Sequence, residues 1–231
     1  YNMFGINLSM PYKQAVIPYL DDLTESARLI GAVNTVLHQD GLLIGHNTDG
    51  IGFFKSLETL RAFHVRNKRL TILGGGGAST AIIAQAAIDG AKEITIFCRP
   101  KSVERTVVTV QTIAQSTGVS LQVLPNNDSQ LLAEHINNSD LLINGTSVGM
   151  DGTSLPLPAT IRFPEELLVA DVIYQPFETP LLKMANSQGN PTINGLGMLL
   201  FQAAEAFELW TGKEMPTDLI WQLLVQKYDI K

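Results

Sequence analysis

Short β-rich apolar runs alternate with longer stretches of helical spacing between residues 69 and 173. Arg69-Leu70-Thr71-Ile72-Leu73 predicts a strand and Gly74-Gly75-Gly76-Gly77 a turn. Ala78 to Asp89, with apolar residues at helical spacing, predicts a helix that Gly90 can cap. Glu93 to Phe97 predicts a second strand, about 20 residues after the first, as in a βαβ unit. Helices over 103–116 and 129–137 then alternate with strands over 121–124, 140–144 and 168–173. This alternation predicts an α/β fold, a Rossmann-like doubly wound parallel sheet with helices on both faces.

The flanks follow another pattern. The first 50 residues are broken by Gly, Asn and Pro turns around a helix predicted near 11–20, and they read as a second, smaller α/β unit. Residues 195–212 and 216–227 predict helices expected to pack back across the boundary. The expected division is therefore 1–50 for the small unit, 51–194 for the Rossmann unit and 195–231 for helices returning to the first. The chain opens at Tyr1 inside what reads as a motif, so the small unit is expected to be incomplete at its N-terminus.

Composition narrows the partners. Sixteen basic against 22 acidic residues give a net charge of −6 with no basic stripe, which argues against nucleic acid. Cys98 is the only cysteine, which excludes an intrachain disulfide and suits a reducing compartment. No run of about 18 apolar residues could span a bilayer and no secretory leader is visible, so a cytoplasmic protein is expected. His38, His46, His64 and His135 lack metal-ligand spacing, and no metal site is expected.

The glycine turn between strand and helix carries the first chemistry. Gly74, Gly75, Gly76, Gly77 and Ala78 remove side chains where a backbone must approach a pyrophosphate, and the helix start presents N–H groups to its charge. The glycine fingerprint is only partly met, since Ser79 stands where the third small residue would be. The plainer reading is a tight helix entry that binds nothing. After the second strand, where an NAD enzyme places an acidic residue, this chain has Cys98-Arg99-Pro100-Lys101. Arg99 and Lys101 suit a 2′-phosphate and favour NADP, with NAD as the alternative, unless both are simply solvated loop cations.

Three further segments, Asn7 to Lys13, Gly31 to Thr35 and Gly45 to Gly50, are turn chemistry when taken singly. Together with the Gly74 to Ala78 turn, Asn144-Gly145-Thr146-Ser147, Asp171 to Pro176 and Asn194 to Leu199, they resemble the ordered motifs of the shikimate dehydrogenase family. The resemblance spans nearly the whole chain, apart from an upstream segment that grips the substrate carboxylate in the family.

That resemblance implies reversible NADP-dependent reduction of 3-dehydroshikimate to shikimate, in the chorismate route to aromatic amino acids. Lys13 and Asp49 match the catalytic pair. Ser9, where the family pattern has Thr, and Asn34, Tyr174 and Gln202 match positions that hold the substrate. Glu25, Val172, Gly195 and Met198 match positions near the cofactor. The small unit becomes the substrate domain, and a homodimer is compatible with this reading. The same motifs permit a quinate or dual quinate/shikimate dehydrogenase using NAD or NADP. A non-catalytic metabolite sensor is disfavoured by retention of both Lys13 and Asp49, and a folate-type two-domain dehydrogenase by the Asn34 and Asp49 motifs together.

Overall fold

The computed structural model describes residues 3–228. Six parallel strands form the larger sheet: β5 (Arg69–Leu73), β6 (Glu93–Cys98), β7 (Ser120–Pro125), β8 (Leu141–Asn144), β9 (Leu168–Asp171) and β10 (Thr192–Ile193). Their spatial order is β10-β9-β8-β5-β6-β7. Counted from β5 as the first strand, this is the Rossmann order 3-2-1-4-5-6, and it reverses between β5 and β8.

The sheet is buried on both faces, which is why its strands read as nearly continuous aliphatic runs. On one face Ile82 and Ile83 of α4 (Gly77–Ile88), Val110 and Ile113 of α5 (Val103–Thr117) and Phe53 and Leu57 of α3 (Asp49–Arg61) pack on Leu70, Ile72, Ile94 and Ile143. On the other, Leu132 and Ile136 of α6 (Ser129–Asn137) and Leu181 and Leu182 of α7 (Pro180–Ser187) join Phe97, Leu142 and Val169. Each such side chain, when fully buried, contributes roughly 1.5–3 kcal/mol. Leu157, Ile161 and Phe163 add to this second layer from an irregular segment between β8 and β9 that shows no sequence periodicity.

The smaller sheet has four strands, β1 (Gly5–Asn7), β2 (Asp22–Leu23), β3 (Thr35–Gln39) and β4 (Leu42–His46), in the order β1-β3-β4-β2. Val33 and Val36 pack with Ala27 of α2 (Glu25–Ile30) and with Leu20 and Leu23 to form its own small core. Here the expected helix over 11–20 is corrected. The chain makes one helical turn, α1 (Tyr12–Ala15), and then a 3₁₀ turn over Ile17–Tyr19. Pro18 is the physical reason, because it lacks an N–H and its ring clashes with the carbonyl four residues back.

Two other expectations shift. The strand predicted over 168–173 ends at Asp171, whose own carboxylate accepts the Ile173 N–H at 3.0 Å and draws the chain out of the ladder. The division at residue 50 falls inside α3, so one continuous helix starts at the small sheet and runs into the large domain. Alongside it lies α8 (Leu196–Thr211), packed closely through glycines. A Cβ on Gly52 would strike the backbone of Gln202, and one on Gly197 would come within 2.8 Å of Ser56. At its far end Trp210 donates Nε1–H to the Val36 carbonyl of the small sheet, 3.0 Å away. The last helix, α9 (Thr217–Tyr228), packs on α8.

Candidate active site

A cleft of about 400 Å³ opens where the small sheet, the start of α3, the segment after β9 and α8 meet. Nine of the residues singled out in the sequence line it: Ser9, Lys13, Asn34, Asp49, Val172, Tyr174, Gly195, Met198 and Gln202. Asn7, Leu8 and Leu199 complete the wall. All three lie inside motifs already visible in the sequence, and only their place on the cleft wall was missed.

Lys13 and Asp49 form the polar centre. Lys13 Nζ is 2.6 Å from Asp49 Oδ2, and the two side chains keep only 27% and 13% of their exposure. The short helix α1 carries Lys13 to this point, and its backbone is tied in by the Val33 N–H, which donates to the Lys13 carbonyl at 2.8 Å. Asp49 is the first residue of α3, where a carboxylate interacts favourably with the positive end of the helix dipole.

Behind the pair lies a hydrogen-bond network that leaves Asp49 little freedom. Asn34 donates its amide hydrogens to Asp49 Oδ1 at 2.8 Å and to Thr48 Oγ1 at 3.0 Å. Its Oδ1 accepts from the Thr48 N–H and the Thr35 hydroxyl, each at 2.9 Å. Asn47 Oδ1 takes the Asp49 N–H at 3.1 Å, and Asn47 Nδ2 holds the Ala32 carbonyl at 3.0 Å. Asn7 Nδ2 closes the network on Thr35 Oγ1 at 2.9 Å. Asn34 is 2% exposed and both its amide hydrogens are engaged within the protein. In this arrangement its main physical effect is to aim Asp49.

The glycine turn sits apart from this cleft, at the reversal point of the strand order. Gly74 has φ +101°, and a Cβ there would lie 2.7 Å from the Thr146 methyl, while one on Gly75 would strike Thr106. Gly76 and Gly77 differ, because a Cβ on either would meet nothing within 4 Å. Open space therefore lies in front of α4, whose N-cap Gly76 offers no side-chain cap, and the first N–H groups of the helix have no intrahelical acceptor. This cradle fits a pyrophosphate. Ser79 does what the fingerprint's third small residue does elsewhere: it is fully buried, and its hydroxyl bonds the Gly145 carbonyl at 3.2 Å.

Arg99 and Lys101 follow β6 and are exposed, and among the described residues neither forms an ion pair. Glu25 is an exposed first residue of α2 and does not line the cleft. A second cavity, about 330 Å³ on the small sheet beside Ile6, Val16 and Leu20, is mostly apolar, with Tyr19 and His38 on its wall. No helix among the described residues is long and apolar enough to cross a membrane.

Comparison with known proteins identifies the family. The family model for the shikimate dehydrogenase substrate binding domain matches residues 1–36, and that for the shikimate 5′-dehydrogenase C-terminal domain matches residues 195–225. The NADP(+) shikimate dehydrogenase of Streptococcus suis strain 05ZYH33 is 82% identical over 231 residues, which is all of this chain and 80% of that protein. The corresponding protein of Streptococcus mutans serotype c is 59% identical over the same shares. Among solved structures, shikimate 5-dehydrogenase from Listeria monocytogenes, in complex with shikimate and NAD, superposes with a TM-score of 0.91 at 44% identity. The match covers 96% of this chain and 78% of that one.

Proposed function

The chain belongs to the shikimate dehydrogenase family, and from that premise we propose that Lys13 and Asp49 carry its chemistry, the reversible NADP-dependent reduction of 3-dehydroshikimate to shikimate. The observation that carries the assignment is the 2.6 Å contact between Lys13 Nζ and Asp49 Oδ2 in a cleft that has Val172, Gly195, Met198 and Leu199 on its apolar wall and Ser9, Tyr174 and Gln202 among its polar groups.

Reduction of a ketone needs a hydride at carbon and a proton at oxygen. NADPH, when bound, supplies the hydride; the protein manages the proton. Among the described residues Lys13 is the only ammonium on the cleft wall, and its donor hydrogens can meet the carbonyl oxygen and pass it a proton as negative charge develops there. Asp49 accepts a hydrogen bond from the same nitrogen and so orients it, and Asn34 fixes Asp49 in turn. In the oxidative direction the same amine takes the hydroxyl proton back. Ser9, Tyr174 and Gln202 supply hydroxyl and amide groups suited to the ring hydroxyls of a small polyhydroxy acid.

For the cofactor, the N–H groups at the start of α4 suit the pyrophosphate, and Arg99 and Lys101 suit the 2′-phosphate by charge-assisted bonds. Val172, Gly195 and Met198 suit the nicotinamide end, since they line the cleft on the side of the large domain. We read the protein as cytoplasmic, in keeping with its single buried Cys98 and a biosynthetic reductase. The test is a spectrophotometric assay with shikimate and quinate, each with NADP and NAD. Oxidation of shikimate with NADP is expected to have the highest kcat/KM; a preference for quinate, or no turnover with intact cofactor binding, would overturn the assignment.

A further inference from the structure

Strands β8 and β9 end in register at Asn144 and Asp171, at the edge of the sheet where open α/β folds bind ligands. There the amide of Asn144 donates to Asp171 Oδ1 at 3.1 Å. Both side chains are fully buried, and neither lines the cleft.

Each residue also holds a different loop. Asn144 Oδ1 accepts from the Thr146 N–H at 3.1 Å and hydroxyl at 2.7 Å, and its Nδ2 reaches the Val148 carbonyl at 3.0 Å. The Thr146 methyl so placed abuts Gly74, and Gly145 abuts Ser79, so this loop backs the dinucleotide turn. Asp171 Oδ1 accepts the Ile173 N–H at 3.0 Å and Oδ2 the Thr179 hydroxyl at 2.7 Å. These bonds shape the segment that carries Val172 and Tyr174 into the cleft. Its Ile173 carbonyl accepts the Gly195 N–H at 3.0 Å, and Gly195 packs directly on the Val172 carbonyl.

The arrangement is an expensive one. Burial pushes the Asp171 carboxyl up to about 6, against the opposing pull of hydrogen bonds from Ile173, Thr179 and Asn144. Among the described residues no charged neighbour contributes to this shift. A buried carboxylate with no cation is disfavoured unless its oxygens do something that a neutral group cannot. Here two acceptor oxygens hold three donors from three segments, whereas an Asn at this point offers one acceptor oxygen.

We propose that Asp171 and Asn144 are positioning residues that hold the wall of the dinucleotide turn in register with the wall of the substrate cleft. The inference rests on the reading of the protein as an NADP-dependent dehydrogenase. Neither side chain touches the reacting atoms; each acts through the loops that do.

The test compares wild type, Asp171→Asn and Thr179→Val for kcat and for NADPH affinity, the latter by fluorescence, across pH 5 to 8. Because a misplacement of about 1 Å can cost on the order of a hundredfold in rate, Asp171→Asn is expected to lower kcat by about 10- to 100-fold. Wild-type kcat and NADPH affinity are expected to fall as acid protonates the carboxylate. Thr179→Val removes a donor to the charged form, so it should move that acid limb to higher pH, which a merely structural role would not do. The 2′-phosphate of NADPH also titrates in this range, but equally for every variant, so the difference between proteins isolates Asp171. An unmoved limb in Thr179→Val together with wild-type kcat in Asp171→Asn would overturn the inference. Absence of turnover in wild type would instead count against the functional reading, and the NADPH titrations would then decide the positioning role by the same shift.

Discussion

The two halves of the site are built on opposite plans. Around Asp49 nearly every polar group is already satisfied: Asn34, Thr48 and Thr35 bond one another, Asn47 accepts the Asp49 N–H, and the carboxylate takes Asn34 on one oxygen and Lys13 on the other. At the glycine turn the reverse holds, with open space before Gly76 and Gly77, uncapped N–H groups on α4, and two exposed cations after β6. A proton-transfer centre benefits from geometry fixed before the substrate arrives. A site for a diphosphate benefits from donors left for the ligand to satisfy. The difference predicts that mutations on the substrate side act on turnover, and those on the cofactor side act on affinity.

The largest effect is expected where the preorganised half loses its proton donor. Lys13→Ala should lower kcat by about 100- to 10,000-fold while NADPH affinity and melting temperature stay near wild type. The side chain is only partly buried, and its removal opens the cleft and not the core. Steady-state rates set beside a melting curve and a fluorescence titration check this; near-normal turnover in a folded variant would sink the catalytic role of Lys13.

On the cofactor side, Arg99→Ala should act on affinity. A hydrogen bond to a charged group is worth roughly 1.5–3 kcal/mol, so kcat/KM with NADP should fall by about 10- to 100-fold. With NAD, which lacks the 2′-phosphate, it should change little. If both cofactors lose equally, Arg99 does not read the 2′-phosphate. The NAD bound to the Listeria monocytogenes structure makes the ratio of the two the informative quantity.

The same contrast explains how much could be read before the fold was known. The large sheet was legible because its strands are buried on both faces and its helices carry their apolar residues at helical spacing, so each element announces its own period. The small sheet was not. Its strands are short, and its central hairpin turns tightly on Asp40-Gly41, at φ 53° and 82°, so no strand runs long enough to show a period. The segment that buries Leu157, Ile161 and Phe163 has no period to find. At the site, Lys13, Asp49 and Asn34 were visible only as parts of motifs. That Asn34 spends its amide on Asp49 and Thr48 depends on a backbone path joining β3 to α3, which no local spacing encodes. The Asn144–Asp171 pair likewise depends on the register of two parallel strands, which brings together residues 27 apart in sequence.

A third prediction strikes the joint between the halves. Helices α3 and α8 approach so closely that a side chain on Gly52 has no room beside the Gln202 backbone. Gly52→Val is expected to cost about 1–3 kcal/mol as the helices part. Because α3 begins at Asp49 and α8 carries Met198 and Gln202, kcat should fall as well, with NADPH affinity affected less. Denaturant unfolding alongside kinetics checks it. Wild-type stability would mean that the helices can separate without strain.

The smallest effect concerns His46, which ends β4 two residues before Thr48 and has a buried Nε2 with no hydrogen-bond partner. Burial holds its pKa below the ordinary value, so the folded state binds a proton less readily than the unfolded chain. Such a group contributes stability that is fully present above the unfolded pKa of about 6.5 and is lost as pH falls through the window between the unfolded and folded values. Asp171 works in the opposite sense: its raised pKa gives stability that is present at low pH and lost as pH rises through about 6. Asp89, whose carboxyl burial likewise raises, acts in the same sense as Asp171, so wild type shows the slope of His46 against those of the two carboxyls. His46→Phe keeps a ring of similar shape and removes only the first. At pH 7 the variant should melt within a few degrees of wild type, since about 1 kcal/mol moves the midpoint by roughly 2–4 °C in a chain of this size. Between pH 7 and pH 5 its midpoint should fall less than that of wild type, and the slope of the raised carboxyls, Asp171 and Asp89, should emerge. Melting curves at both pH values decide the matter, and a variant that loses as much stability on acidification as wild type would show that His46 is not the group whose protonation opposes the fold.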